Sequence, residues 1–103
     1  MPKYLALYKA SGSGHEQGSE PTPEQQQAMM QAWFTWKENA GDAIVDFGAP
    51  TTAVPGGGGS DIGGYSIVQA DTADELDAVF ETNPHRKQGG TVEYHQIVDI
   101  PGA

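Results

Sequence analysis

His15, His85 and His95 are the side chains of this sequence best suited to give and take a proton near neutral pH. A histidine with a carboxylate in reach is the minimum for acid–base work. Asp46 is the candidate partner, because it interrupts an apolar run between Val45 and Phe47. There it either sits at an edge facing water or is partly buried with a pKa raised toward proton transfer. Trp33, Trp36 and Tyr8 could wall a substrate pocket, each with a flat apolar face; the tryptophan spacing fits a helical core equally well. The expected catalytic set is His85 or His15 as the proton shuttle, with Asp46 orienting or receiving the proton. The alternative is that these polar groups lie apart on the surface. His85, after Pro84 at the end of a helix, would then serve the helix dipole.

Other chemistries find less support. There is no cysteine, which removes disulfides and thiolate chemistry. The histidines lack a metal-type spacing such as His-Glu-x-x-His. Glu93, His95 and Asp99 alternate along one strand face, with neighbours two apart separated by roughly 6.8 Å. They read as a polar strand face, with His95 hydrogen-bonded at a dimer rim, and no metal is expected. The glycine run at residues 56–59 belongs to neither a P-loop nor a Gly-x-Gly-x-x-Gly motif, and it joins strand to strand, so it opens no helix N-terminus for a phosphate. Its likeness to an engineered linker is outweighed by its place inside a continuous domain pattern. No Gly-x-Ser-x-Gly elbow supports acyl transfer.

Positioning such groups falls to elements that the pattern of residues lays out. Lys3-Tyr4-Leu5-Ala6-Leu7-Tyr8-Lys9 predicts a strand, closed by Ser11-Gly12-Ser13-Gly14. Residues 11–21 are polar and Gly-rich and read as a long loop. Thr22-Pro23-Glu24-Gln25 combines an N-cap, a first-turn proline and a capping-box glutamine. Ala28, Met29, Ala32, Trp33, Trp36 and Ala40 then make one apolar stripe, with Gly41 as the stop. Ala43-Ile44-Val45-Asp46-Phe47-Gly48 predicts a second strand, residues 51–64 a flexible connection, and Gly64-Tyr65-Ser66-Ile67-Val68-Gln69-Ala70 a third strand. Thr72-Ala73-Asp74-Glu75 opens a second helix with Leu76, Val79 and Phe80 inward, stopping before Pro84. Thr91-Val92-Glu93-Tyr94-His95-Gln96-Ile97-Val98 is the final strand.

The order β-α-β-β-α-β is the ferredoxin-like α+β arrangement: an antiparallel sheet with two helices on one face, residues 1–103 forming a single domain. Leu5 and Leu7 alternate with Tyr4, Ala6 and Tyr8, so both sheet faces carry apolar residues. The uncovered face needs a second cover, and a second copy of the chain supplies it most economically. The same order describes RNA-recognition domains, and Tyr4, Tyr8 and Tyr94 lie on the strands that would stack bases. Five Lys and Arg against fourteen Asp and Glu, a net charge of -9, argue against nucleic acid. No apolar run approaches a membrane span or a signal segment, which makes the cytoplasm the expected compartment and excludes a membrane partner.

The residues also resemble the YCII-related or DGPF-domain proteins of the dimeric α+β barrel class. Lys3-Tyr4-Leu5-Ala6-Leu7-Tyr8 is similar to that family's first strand, and Thr22-Pro23-Glu24 to the start of its first helix. Gly63-Gly64-Tyr65-Ser66-Ile67, Ala70-Asp71-Thr72 and Glu75-Leu76 look like its third strand and second helix cap. Asn83-Pro84-His85 and Gly89-Gly90-Thr91-Val92-Glu93 resemble its closing motifs. The resemblance covers nearly the whole chain and implies a homodimer whose sheets face each other. The Asp-Gly-Pro-Phe motif is absent, and the first helix lacks the histidine that pairs with an aspartate in the enzymatic branch, with Gln31 near that place. The implied activity is proton transfer, elimination or isomerisation on a compact aromatic or carbonyl-bearing molecule with no bound cofactor, as by a lyase or isomerase. The alternatives are a non-catalytic small-ligand-binding or accessory domain and a cofactor-free oxygenase of the same barrel class.

Overall fold

A computed structural model describes residues 1–9, 22–59 and 61–101. The long loop expected over residues 11–21, with His15, lies outside the described residues. The elements run β1 (Lys3–Lys9), α1 (Pro23–Ala40), β2 (Ile44–Pro50), β3 (Ile62–Gln69), α2 (Leu76–Val79), α3 (Pro84–Lys87) and β4 (Thr91–Ile97). The four strands form one sheet in the order β2-β3-β1-β4, antiparallel at each neighbouring pair. This is the ferredoxin-like α+β fold that the order of elements predicts. Among the described residues no helix is long and apolar enough to cross a membrane.

Helix α1 begins as its sequence directs. Thr22 Oγ1 accepts from the Gln25 backbone N–H at 3.1 Å, while Gln25 Oε1 accepts from the Thr22 N–H at 2.9 Å. The helix stops at Gly41, whose N–H donates to the Lys37 carbonyl. Of the apolar stripe, Trp36 is buried, Trp33 and Ala40 are half-buried, and Ala28, Met29 and Ala32 are exposed. The C-terminal half of α1 packs on the sheet, whereas Met29 and Trp33 border an open cleft.

Tyr4, Ala6 and Tyr8 of β1 and Val68 of β3 alternate onto the covered face, where Trp36, Leu76 and Phe80 close over them. Trp36 donates from Nε1 to the Val79 carbonyl at 2.8 Å, which satisfies the one polar atom of the indole. Leu76 and Phe80 point inward as expected, and Val79 is half-buried. The second helix is shorter than its capping box promises: the 3-10 turn Ala73–Glu75 leads into the single turn of α2. A separate turn, α3, then starts at Asn83-Pro84. Asn83 Oδ1 accepts from the N–H groups of His85 (3.0 Å) and Arg86 (3.3 Å), a side-chain cap ahead of a first-turn proline.

The opposite face is uncovered in the described chain. Leu5 pairs with Ile67 and His95, and Leu7 with Tyr65 and Glu93, all on that face. Strand β2 continues past Gly48, where the sequence reading ends it, to pair Ala49 with Tyr65 and Pro50 with Gly64. Gly48 makes this continuation feasible. Its φ is +82°, and a Cβ there would collide with the Tyr65 carbonyl.

Candidate active site

A cleft of about 770 Å³ opens between α1, the β2-β3 region and α3. Its walls are largely aromatic. Tyr8 meets Trp33 edge-on with ring centroids 5.1 Å apart, Trp33 meets Phe47 at 6.2 Å, and Phe34 stacks on Phe47 at 5.9 Å. The volume depends on small residues, since Gly48, Ala49, Gly63 and Gly64 border it where larger side chains would fill it. A Cβ on Gly64 would already touch the Tyr8 ring at 3.4 Å.

His85 lines this cleft from the first turn of α3, its ring edge-on to Tyr8 at 5.4 Å. Its Nε2 lies 2.7 Å from the Lys9 carbonyl and 3.1 Å from the Thr91 carbonyl. Both partners only accept, so Nε2 carries the hydrogen and Nδ1 of the neutral ring keeps the lone pair. The ring therefore ties the end of β1 to the start of β4 and has a fixed tautomer. Gly90 is required beside it, because a Cβ there would overlap the imidazole. The helix-end role considered for His85 is corrected by its place: α2 ends at Val79, and His85 belongs to the separate single turn α3, its ring engaged by the Lys9 and Thr91 carbonyls.

Behind the aromatic wall lies a buried polar chain. The Tyr8 hydroxyl is 2.7 Å from Ser66 Oγ, and Ser66 donates to the Phe47 carbonyl at 2.7 Å. The single Ser66 proton is committed to Phe47, so Tyr8 donates to Ser66. Burial pushes the Tyr8 hydroxyl up to about 12, with the Ser66 and Asn83 side chains opposing part of that rise. Tyr8 is thus a neutral phenol at physiological pH. Asn83 Nδ2, fully buried, has no hydrogen-bond partner of good geometry, although its side chain is near enough to favour the Tyr8 oxygen.

The structure brings His85, Tyr8 and Trp33 to one cleft and leaves Asp46 and Trp36 out of it. Trp36 is a core residue 5.8 Å behind Trp33, only 1% exposed. Asp46 is exposed and pairs across the sheet with Ile67, which sets it on the uncovered face. The cause is a shift in register. Ile44 opposes Val68 on the covered side, but an extra residue in β2 before Asp46 reverses the alternation. The Asp46 carboxylate accepts from the Gly48 N–H at 2.9 Å, a local turn contact, and borders a separate shallow groove with Phe34 and Lys37. Gln31 is exposed on α1.

One carboxylate that sequence reasoning passed over does line the cleft. Asp61, after the glycine run, meets Lys9 Nζ through Oδ2 at 3.3 Å, and the same Nζ lies 3.6 Å from Glu93 Oε2. Nothing in its surroundings marks it in the sequence, because it follows a stretch without periodicity. Met29, Met30, Phe34 and Phe47 were likewise passed over as lining residues. His95 Nε2 lies 3.0 Å from Glu93 Oε1 on the uncovered face. Among the described residues no three His, Asp or Glu side chains come together as a metal site would need.

Comparison with known proteins adds a fold relative. A scan against protein-family models finds no match, and no curated protein matches. A solved structure that does match is 5-chloro-2-hydroxyhydroquinone dehydrochlorinase (TftG) from Burkholderia phenoliruptrix AC1100, in complex with 2,5-dihydroxybenzoquinone. The match has a TM-score of 0.53 and 21% identity, covering 88% of this chain and 90% of that chain. The likeness extends over nearly the whole of both chains, and at that identity what it establishes is a shared α+β fold.

Proposed function

We propose that this chain is a YCII-related protein whose cleft takes a small aromatic or carbonyl-bearing molecule. On it His85 moves a proton, without a bound cofactor, in a proton transfer, elimination or isomerisation. The observation that carries this reading is the position of His85: an imidazole of fixed tautomer on the wall of an aromatic cleft of about 770 Å³. The fold relative is named as a dehydrochlorinase and holds a quinone, which fits the same reading. Tyr8 stays protonated and shapes the wall, and Trp33 gives a ring its stacking face. His15 stays in the proposal as a second shuttle candidate. The compartment proposed is the cytoplasm.

The second reading is a non-catalytic ligand-binding or accessory domain. It draws on the placement of Asp46 across the sheet and on the engagement of Nε2 with two carbonyls. The two part in D2O. With an enolisable ketone or a neutral hydroxylated ring that carries a leaving group, catalysis gives deuterium incorporation or loss of that group, reduced at least about tenfold by His85→Gln. Binding without any exchange above the buffer rate supports the accessory role.

The homodimer belongs to the same proposal. Leu5, Leu7, Tyr65 and Ile67 make an apolar centre on the uncovered face, and Ile97 extends it at 43% exposure. Light scattering should give twice the 10.9 kDa chain mass at micromolar concentration, and a monomer there would remove the face-to-face arrangement.

A further inference from the structure

We propose that the cleft selects ligands that present hydrogen-bond donors, as a hydroxyl or an ammonium group, and turns away anions of the same size. This rests on the reading of the cleft as a ligand site and adds the ligand's charge and polarity. Among the described lining residues Asp61 is the carboxylate and none is a Lys or Arg, while Thr51, Thr52 and Tyr65 add hydroxyls that accept as well as donate. His85 has its only neutral-state hydrogen committed to Lys9 and Thr91, so it can offer a ligand a lone pair. Tyr8 has its proton committed to Ser66. Asp61 is a carboxylate that meets Lys9 through Oδ2, and among the described residues its Oδ1 has no hydrogen-bond partner.

The charge count agrees. The chain's five cationic side chains are Lys3, Lys9, Lys37, Arg86 and Lys87, and none lines the cleft. Lys9 is shared between Asp61 and Glu93, so that trio keeps one net negative charge. Arg86 is taken up by Asp77 at 3.3 Å. The aromatic walls add to the preference, since ring faces attract cations. Phe47 already does so on one side, with Lys37 Nζ 5.3 Å from its centroid. The net charge of -9 raises the local concentration of cations and lowers that of anions.

Three probes of one shape separate the terms: benzylamine, benzyl alcohol and benzoate, titrated at pH 7.5 and low salt. Binding is read from amide shifts of Gly48, Gly64 and Tyr65, which border the cleft. Benzylamine should bind at least about tenfold tighter than benzoate, with benzyl alcohol between them. Asp61→Asn, an exposed and nearly isosteric change, should narrow the amine-to-benzoate ratio about fivefold or more, and Lys9→Met should widen it. Benzoate binding as tightly as benzylamine, or a ratio unmoved by Asp61→Asn, overturns the charge selection and leaves the ligand-site reading standing. If none of the probes shifts the cleft amides, the ligand-site reading falls and the selection falls with it.

Discussion

The two faces of one sheet have solved the problem of polar groups in opposite ways. On the covered face Ser66 and Asn83 are fully buried and uncharged, and the Tyr8–Ser66–Phe47 chain pairs the hydroxyls with each other and with a carbonyl. On the uncovered side Lys9 and Glu93 form an ion pair, and His95 and Asp46 stand exposed, among Leu5, Leu7 and Ile67. Burial without charge costs little where the donors are paired, as the two hydroxyls are, with the unpartnered Asn83 Nδ2 the exception, whereas a charge must keep water or a counter-ion. The cleft lies where the regimes meet, with neutral Tyr8 and tautomer-locked His85 on its inner side and Asp61 at its margin.

The largest expected effects fall on the covered face. Gly48→Ala drives a Cβ into the Tyr65 carbonyl at a positive φ, and Phe80→Ala empties a side chain that is fully buried. Each should cost about 3–5 kcal/mol in urea or thermal unfolding. Leu7→Ala on the other face should cost about 1 kcal/mol in a monomer and more in a dimer, so the protein-concentration dependence of its Tm reports what covers that face.

Next come changes that disturb the polar chain while leaving the core volume nearly intact. Ser66→Ala strands the Tyr8 hydroxyl and the Phe47 carbonyl and should cost about 1–3 kcal/mol, while Tyr8→Phe removes the donor and should cost less. Gly90→Ala should displace the His85 ring. Activity or ligand binding should then fall by at least about tenfold, with a stability loss of about 1–3 kcal/mol.

Alkaline stability separates the faces by pH. Tyr8 has its pKa raised from 10.0 to about 12 by burial, and Tyr94 is raised as well. The folded state holds the Tyr8 proton more tightly, so its contribution is complete below pH 10 and is lost as the pH rises toward 12. That loss amounts to about 3 kcal/mol for a two-unit shift. Tyr8→Phe should flatten unfolding free energy against pH in that window, and an unchanged slope would show that the hydroxyl is not desolvated. The smallest effect belongs to Lys9→Met, whose exposed ion pairs should barely move Tm and whose consequence should vanish in salt.

Much of the fold was legible because its signals are local. Thr22-Pro23 with Gln25 spelled out the start of α1, and alternation in β1 assigned Tyr4, Ala6 and Tyr8 to one face and Leu5 and Leu7 to the other. Asn83-Pro84 carries the same cap-and-proline signal, but a proline read only as a stop hides the turn that it opens. Of the site, His85, Tyr8 and Trp33 could be read as a group. Asp46 takes the water-facing one of its two readings and leaves the catalytic set, because alternation holds only while the register does, and the β2 irregularities depend on how the strand meets β3. Asp61 was invisible because its place depends on where the β2-β3 connection returns.

The most direct measurement of the central claim is the location of a bound aromatic molecule by intermolecular nuclear Overhauser contacts in the full-length protein. A small hydroxylated ring should show contacts to Trp33 and Phe47 side-chain protons and to the His85 ring, and these should disappear in Gly64→Leu, which fills the cleft beside Tyr8. Contacts to Leu5, Leu7 and Ile67 would contradict it and move the site to the other side of the sheet, and contacts confined to the groove between α1 and the β2 edge beside Asp46 would contradict it and move the site away from His85.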